Sequence, residues 1–339
     1  MTQQQIIPVR FLYRSEGMIP MLTVMERAGI WEKYGIDVRD FRYSPEALDA
    51  EEQLLDGGID FIFGNHVSPY MRLAHGEDIV CLAQTENWQH EWVATSPEIR
   101  ELPMLHGKRA VGLPLFLANG KFSGHSDGNR ILLLELEGVD TRTVEFLPPD
   151  QVGGNAIEAV KNGKAEACFI SPRNAARAEE AGLIVHRTLP MPMVHNITYT
   201  TTYNRLGQQS DFGERIIKIL VEATAFYKTR QDEAKDMIKD PVDKMRPGQI
   251  ERLVAHFDES CAEHETKPYP RPEALINVHK LACMVYPEAK SVNPLELWDT
   301  SILRSIHASG FVDNLYGGAP RVLEHVEHTI DVGTHMDDC

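Results

Sequence analysis

The chain is poor in the residues that build metal centres, disulfide frameworks and nucleic-acid surfaces. Its five cysteines (Cys81, Cys168, Cys261, Cys283 and Cys339) are scattered over 339 residues, and none forms a CxxC pair. An odd number at wide spacing excludes a zinc knuckle and a disulfide framework, and suits a reducing compartment. Basic charge is also short: 34 Lys and Arg stand against 50 Asp and Glu, for a net charge of −16. No basic stripe is available to neutralise phosphates, so nucleic acid is not an expected partner. The acidity reads as solubility, and a cleft of local positive potential remains compatible with it. No stretch reaches the ~20 apolar residues of a membrane span. The start, Met1-Thr2-Gln3-Gln4-Gln5 before Ile6-Ile7-Pro8, lacks a basic region followed by an apolar run. A cytoplasmic protein is therefore the expectation.

What is present is alternation of strand and helix. Val9 to Tyr13 reads as a buried strand, followed by the loop Arg14-Ser15-Glu16-Gly17 and a helix from Ile19 to Ala28. Strands follow at Ile36–Phe41, Ile59–Gly64 and Ile79–Ala83, with helices between them. The order β-α-β-α-β implies a mostly parallel sheet. From Leu105 the pattern restarts, through a polar loop at Leu113–Asp127, a helix at Asn129–Glu137 and strands near Thr143, Ala167 and Leu183. His195 to Tyr203 reads as a strand returning to the first lobe. Phe212 to Asp240 is helical, and helices broken by prolines continue after Pro241.

Four stretches carry a family resemblance. Ala28-Gly29-Ile30-Trp31-Glu32-Lys33-Tyr34-Gly35-Ile36-Asp37-Val38, Leu55 to Phe61, Leu105 to Gly112 and Asn162 to Ala167 occur in the order of known signatures. Together they resemble the SsuA/THI5-like (NMT1-like) branch of the type 2 periplasmic binding proteins. The likeness runs over about residues 6–240. It implies an α/β, two-lobed fold with a helical C-terminal extension. Lobe I is expected at 1–92 plus 200–250, lobe II at 93–199, and the extension with a polar tail at 251–339. The ligand is expected between the lobes, where strand ends and helix N-termini converge.

The resemblance covers several functions: solute receptors of importers, and enzymes. The thiamine-pyrimidine synthase pattern does not fit. His66 stands where that pattern has a histidine, but Ile62 replaces its lysine and Met193–Tyr199 holds no cysteine. A desulfinase needs a nucleophilic cysteine in the first cleft loop, and Tyr13–Pro20 has none. Cys81 and Cys168 read as buried small hydrophobes. By elimination, the expectation is an enzyme of decarboxylase or lyase type on a small carboxylated aromatic or heterocyclic substrate. The alternative is a solute-binding protein of an importer, or a cytoplasmic sensor, for a small organic anion. Neither cofactor nor metal is assigned.

Cofactor-free decarboxylation needs a cation for a carboxylate, an acid for the carbanion and a dry cleft. His66 and Arg14 are the expected catalytic residues; each also reads as structural, a helix cap and a surface ion pair. Tyr13, Asn65, Trp88, His90, Ser123, His125, Arg173 and His195 are the expected ligand contacts. Trp88, His90 and Trp92 alternate, which suits either a wall for a planar ligand or hinge packing. Ser123-Gly124-His125-Ser126-Asp127-Gly128 can cradle a carboxylate while also capping the next helix. Arg173 faces the cleft or pairs with Glu179 or Glu180. His256, His264, His279 and His307 are assigned no chemistry. His325, His328 and His335 lie on a polar tail that suits partner docking better than a metal site. The C-terminal helices offer cover for a second subunit, so a homo-oligomer is compatible.

Overall fold

The computed structural model describes residues 5–317. The histidine tail from 325 therefore lies outside the described residues. Ten strands form two five-stranded sheets: β1 (Ile7–Tyr13), β2 (Ile36–Tyr43), β3 (Phe61–Phe63), β4 (Val80–Gln89), β5 (Trp92–Thr95), β6 (Arg109–Val111), β7 (Glu145–Leu147), β8 (Ala167–Ile170), β9 (Ile184–His186) and β10 (Met191–Thr201). The first sheet has the order β2-β1-β3-β10-β4 and the second β7-β6-β8-β5-β9. In each, four strands run the same way and the strand arriving from the other lobe, β10 in the first and β5 in the second, is inserted antiparallel between two of them. The chain thus crosses twice, from β4 to β5 and from β9 to β10.

In β1, Ile7, Val9 and Phe11 are buried while Pro8 and Arg10 face out. Pro8 is tolerated because β3 pairs with β1 only from Phe11 onward, so no ladder bond is lost there. β3 is short and apolar, Phe61-Ile62-Phe63, and is buried on both faces.

Two expectations are corrected. The return strand, expected from His195, already begins at Met191 and lies in the first sheet. The fourth strand runs to Gln89 instead of ending at Ala83, because the polar residues Gln84, Thr85, Glu86 and Asn87 all find partners.

The C-terminal extension is woven into both lobes. Its segments cover the free edge of β4: the Cys81 N–H donates to Leu297, the Gln84 N–H to Pro268, and the Glu265 N–H to Thr85. A covered edge cannot recruit another strand. The helix Pro272–Val285 buries Ala274, Leu275, Val278, Leu281, Ala282 and Val285 in a core shared with Leu132 to Leu134 of the second lobe. Gly128 permits this closeness, since a Cβ there would lie 2.9 Å from Leu281 Cδ1 and 3.1 Å from the Phe122 ring.

Candidate functional site

Loops at the carboxyl ends of β1 and β3 meet the start of the second-lobe helix His125–Leu136. Gly64 follows β3 with φ +88°, and a Cβ there would fall 1.8 Å from Met18 Cε. Only glycine fits this turn, and it delivers Asn65 and His66 to the cleft. Glu51 holds the loop from behind. It is fully buried and accepts from Asn65 Nδ2 at 2.5 Å, from Ser68 Oγ, and from Arg72 Nε at 2.8 Å.

His66 is 5% exposed. Its Nδ1 lies 3.2 Å from Thr198 Oγ1, and its Nε2 lies 3.2 Å from His125 Nε2 across the cleft. His125 Nε2 is also 3.0 Å from Asn129 Nδ2, which donates to Gln89 Oε1 at 3.2 Å. Burial, with His195 and Arg14 nearby, lowers the His66 pKa to about 3. Burial and its two neighbouring imidazoles hold His125 well below the ordinary histidine range. Both rings are neutral at physiological pH.

His195 behaves in the opposite way. It sits where β10 is irregular, beside Asn196 at φ +47°. An irregular strand re-aims side chains, and both residues turn onto Glu86 of β4: His195 Nδ1 at 3.3 Å and Asn196 Nδ2 at 2.7 Å. Burial disfavours the His195 cation, but Glu86 outweighs it and the pKa rises above the ordinary value. Burial likewise disfavours the Glu86 carboxylate, yet His264, His195 and Asn196 hold it below the usual range. His264 Nδ1 lies 3.5 Å from Glu86 Oε1, so a histidine without assigned chemistry proves to back the site. The three rings of His66, His125 and His195 stand in a row, with centroids 4.3 and 6.0 Å apart.

Arg14 projects from the end of β1 and donates from Nη1 to the Ser44 carbonyl at 2.5 Å. Its Nε is buried and has no partner among the described residues. It makes no ion pair among them either, which removes the surface salt-bridge reading. Burial lowers its pKa, and Glu51 is the strongest of the charges that oppose the shift.

Other expected contacts lie elsewhere. Tyr13 is buried, and its hydroxyl donates to Asp243 Oδ2 at 2.6 Å, away from the cleft. Ser123 Oγ donates to the Leu115 carbonyl and closes its own loop, and Asp127 pairs with Arg130. The carboxylate cradle therefore spends its side chains on itself. Trp88 lies under Arg271 and Trp92 under Arg187, which is hinge packing, with His90 exposed between them. Arg173 is exposed at the start of its helix. It does not pair with Glu179, which takes Arg187, and it lies within electrostatic reach of Glu263.

Residues the sequence reading missed are Gln84, Glu86, Thr198, Asn129 and Glu51. The available signal was the polar run Gln84-Thr85-Glu86-Asn87 continuing an apolar strand, since buried polar groups need partners. A hollow of about 490 Å³ lined by Arg10, Asp60, Asp78 and Arg205 opens at the opposite ends of the strands. Its charges are met internally, Arg205 lying 2.6 Å from Asp60.

No family model and no curated protein matches the sequence. Solved structures do match. The sulfonate-transporter binding protein SsuA of Methylobacillus flagellatus has 11% identity and a TM-score of 0.64, over 92% of this chain and 97% of that one. The nitrate-binding protein NrtA of Synechocystis has 10% identity and a TM-score of 0.54, over 93% and 92%. The alkanesulfonate-binding protein SsuA of Xanthomonas axonopodis, bound to MOPS, has 14% identity and a TM-score of 0.53, over 88% and 99%. Two mixed sheets exchanging strands, a cleft between them and these neighbours together give the chain the two-lobed fold of the type 2 periplasmic binding proteins.

Proposed function

We propose that the chain is a receptor-type protein that closes its two lobes on a small organic anion. The observation that carries this is Arg14, a half-buried cation in the cleft whose buried Nε is a free donor and which has no carboxylate partner among the described residues. Leaving such a donor unmet is expensive, and an anion meets it. Neutral His66 beside it adds no competing charge. Structural neighbours named for sulfonate and nitrate binding support the same ligand class. Among the described residues no helix is long and apolar enough to cross a membrane.

The decarboxylase expectation stays as a second reading, favoured by the His195–Glu86 pair. A carboxylate that orients one imidazole nitrogen leaves the other to move a proton. In that reading the acid is His195, not His66, whose two nitrogens are already engaged. The carbon–carboxylate bond breaks, carbon dioxide leaves, and the electron pair left on carbon takes a proton from His195 Nε2, which solvent restores.

Native mass spectrometry of protein from its own host, followed by incubation of any recovered ligand with fresh protein, separates the two. An anion recovered unchanged supports the receptor. Release of carbon dioxide that stops in His195→Gln supports the enzyme. Recovery of only uncharged ligands contradicts both.

A further inference from the structure

The segment between β6 and the helix His125–Leu136 forms an arm of its own. Phe116 and Phe122 pair antiparallel. The Leu117 N–H donates to the Lys121 carbonyl, the Gly120 N–H to the Leu117 carbonyl and the Ser123 N–H to the Leu115 carbonyl. Gly120, at φ +79°, completes the three-residue loop at the tip, and Asn119 Oδ1 accepts the Lys121 N–H at 3.0 Å. The backbone of the arm is thus satisfied from within. Its root is anchored: Leu115 and Phe122 pack on the core that the helix Pro272–Val285 shares with both lobes, and the Phe122 ring lies against Gly128. Its tip is held by one contact. Lys121 Nζ donates to Glu46 Oε1 of the first lobe at 2.6 Å, the arm's only hydrogen bond to that lobe among the described residues. Apart from Arg130 on Glu91 at the crossover, it is the one ion pair among the described residues that joins the two lobes.

Lys121 grips the loop on which the anion site is built. Ser44-Pro45-Glu46 follows β2, and the Glu46 carbonyl accepts the Ala50 N–H at the start of the helix Ala47–Leu55. The Ser44 carbonyl accepts from Arg14 Nη1, and Ser44 Oγ donates to the Glu46 carbonyl at 3.3 Å. The same helix carries Glu51, which holds Asn65 beside His66. One ion pair therefore fastens the second lobe to the element that positions both Arg14 and His66. Lys121 and Glu46 are 54% and 45% exposed. An exposed pair of this kind holds weakly and is readily remade, as a catch must be.

We propose that the arm Leu115–Ser123 is the catch of the cleft: Lys121 on Glu46 holds the lobes closed over the bound anion and sets how fast it leaves. This rests on the anion-binding reading above. Glu46 lies within electrostatic reach of Arg14. Left bare, its carboxylate opposes an anion there; covered by Lys121, it does so no longer. Bound anion and closed catch therefore favour each other reciprocally.

The test is a double-mutant cycle on the full chain, with the exchange of para-fluorobenzenesulfonate followed by fluorine NMR in wild type, Lys121→Gln, Glu46→Gln and the double variant. Neither side chain touches the expected ligand site, and both are largely exposed, so the fold is kept. Glu46 also acts on the anion through its own charge, so the cycle, and not either single variant, isolates the pair. The expected result is that Lys121→Gln speeds release about 2- to 5-fold when Glu46 is present and leaves it unchanged in Glu46→Gln. The same effect of Lys121→Gln with and without Glu46, or slower capture with unchanged release, overturns the catch and leaves the anion reading standing. A wild type that binds none of para-fluorobenzenesulfonate, ethanesulfonate and benzoate overturns the two together.

Discussion

At the scale of single residues, two histidines on either side of His125 are driven in opposite directions by what they touch. His66 is buried without a counter-charge, and its pKa falls to about 3; His195 is half-buried against the buried Glu86, and its pKa rises. In Glu86→Gln the strongest support for the cation is gone and burial is opposed only by the charges of Glu263 and Glu91, so the His195 midpoint is expected to fall from its raised value. Titration of the His195 ring proton by NMR reads this directly, and an unchanged midpoint would remove Glu86 from the account. Stability follows the same logic. His66 has a folded pKa below its unfolded one, so its contribution is complete above pH 6.5 and is lost as pH falls toward 3. His125 acts in the same direction and His195 in the opposite one. Denaturant unfolding should therefore show stability falling on acidification below pH 6.5. The His66→Gln variant should lose up to about 1.4 kcal/mol per pH unit of that slope.

At the scale of elements, the turn after β3 and the irregularity in β10 place the site. Gly64→Ala puts a methyl group into Met18 and forces a positive φ on a side chain. A loss of about 1–3 kcal/mol is expected from the strained backbone, with more from the clash, measured by thermal or chemical unfolding. The strand–helix alternation was legible because strands such as Ile7–Tyr13 and Phe61–Phe63 bury continuous apolar side chains and helices end at glycines such as Gly29 and Gly138. The loops carrying Arg14 and His66 were legible for the same reason, as strand ends. The polar half of β4 was not, because Gln84, Glu86 and Asn87 each need a partner more than 100 residues away. No local pattern encodes that. His195 stood among the expected contacts, but the carboxylate that sets its protonation could not be read from spacing.

For the whole molecule, the helix Pro272–Val285 decides how far the lobes can part. It buries one apolar face in a core drawn from both lobes, so wide opening would expose that face to water. Leu281→Ala removes a fully buried side chain beside Gly128. It should cost about 2–5 kcal/mol and speed hydrogen exchange in the helix His125–Leu136, whereas an unchanged exchange pattern would separate the extension from lobe closure. The central claim is that this closed cleft is an anion site built on Arg14. Its most direct test is calorimetric titration of wild type and Arg14→Gln with benzenesulfonate and with the uncharged benzenesulfonamide. Wild type is expected to bind the sulfonate and not the amide, and the variant to bind the sulfonate about 10- to 100-fold more weakly. Equal affinity in the two proteins, or equal affinity for the two probes, would contradict it.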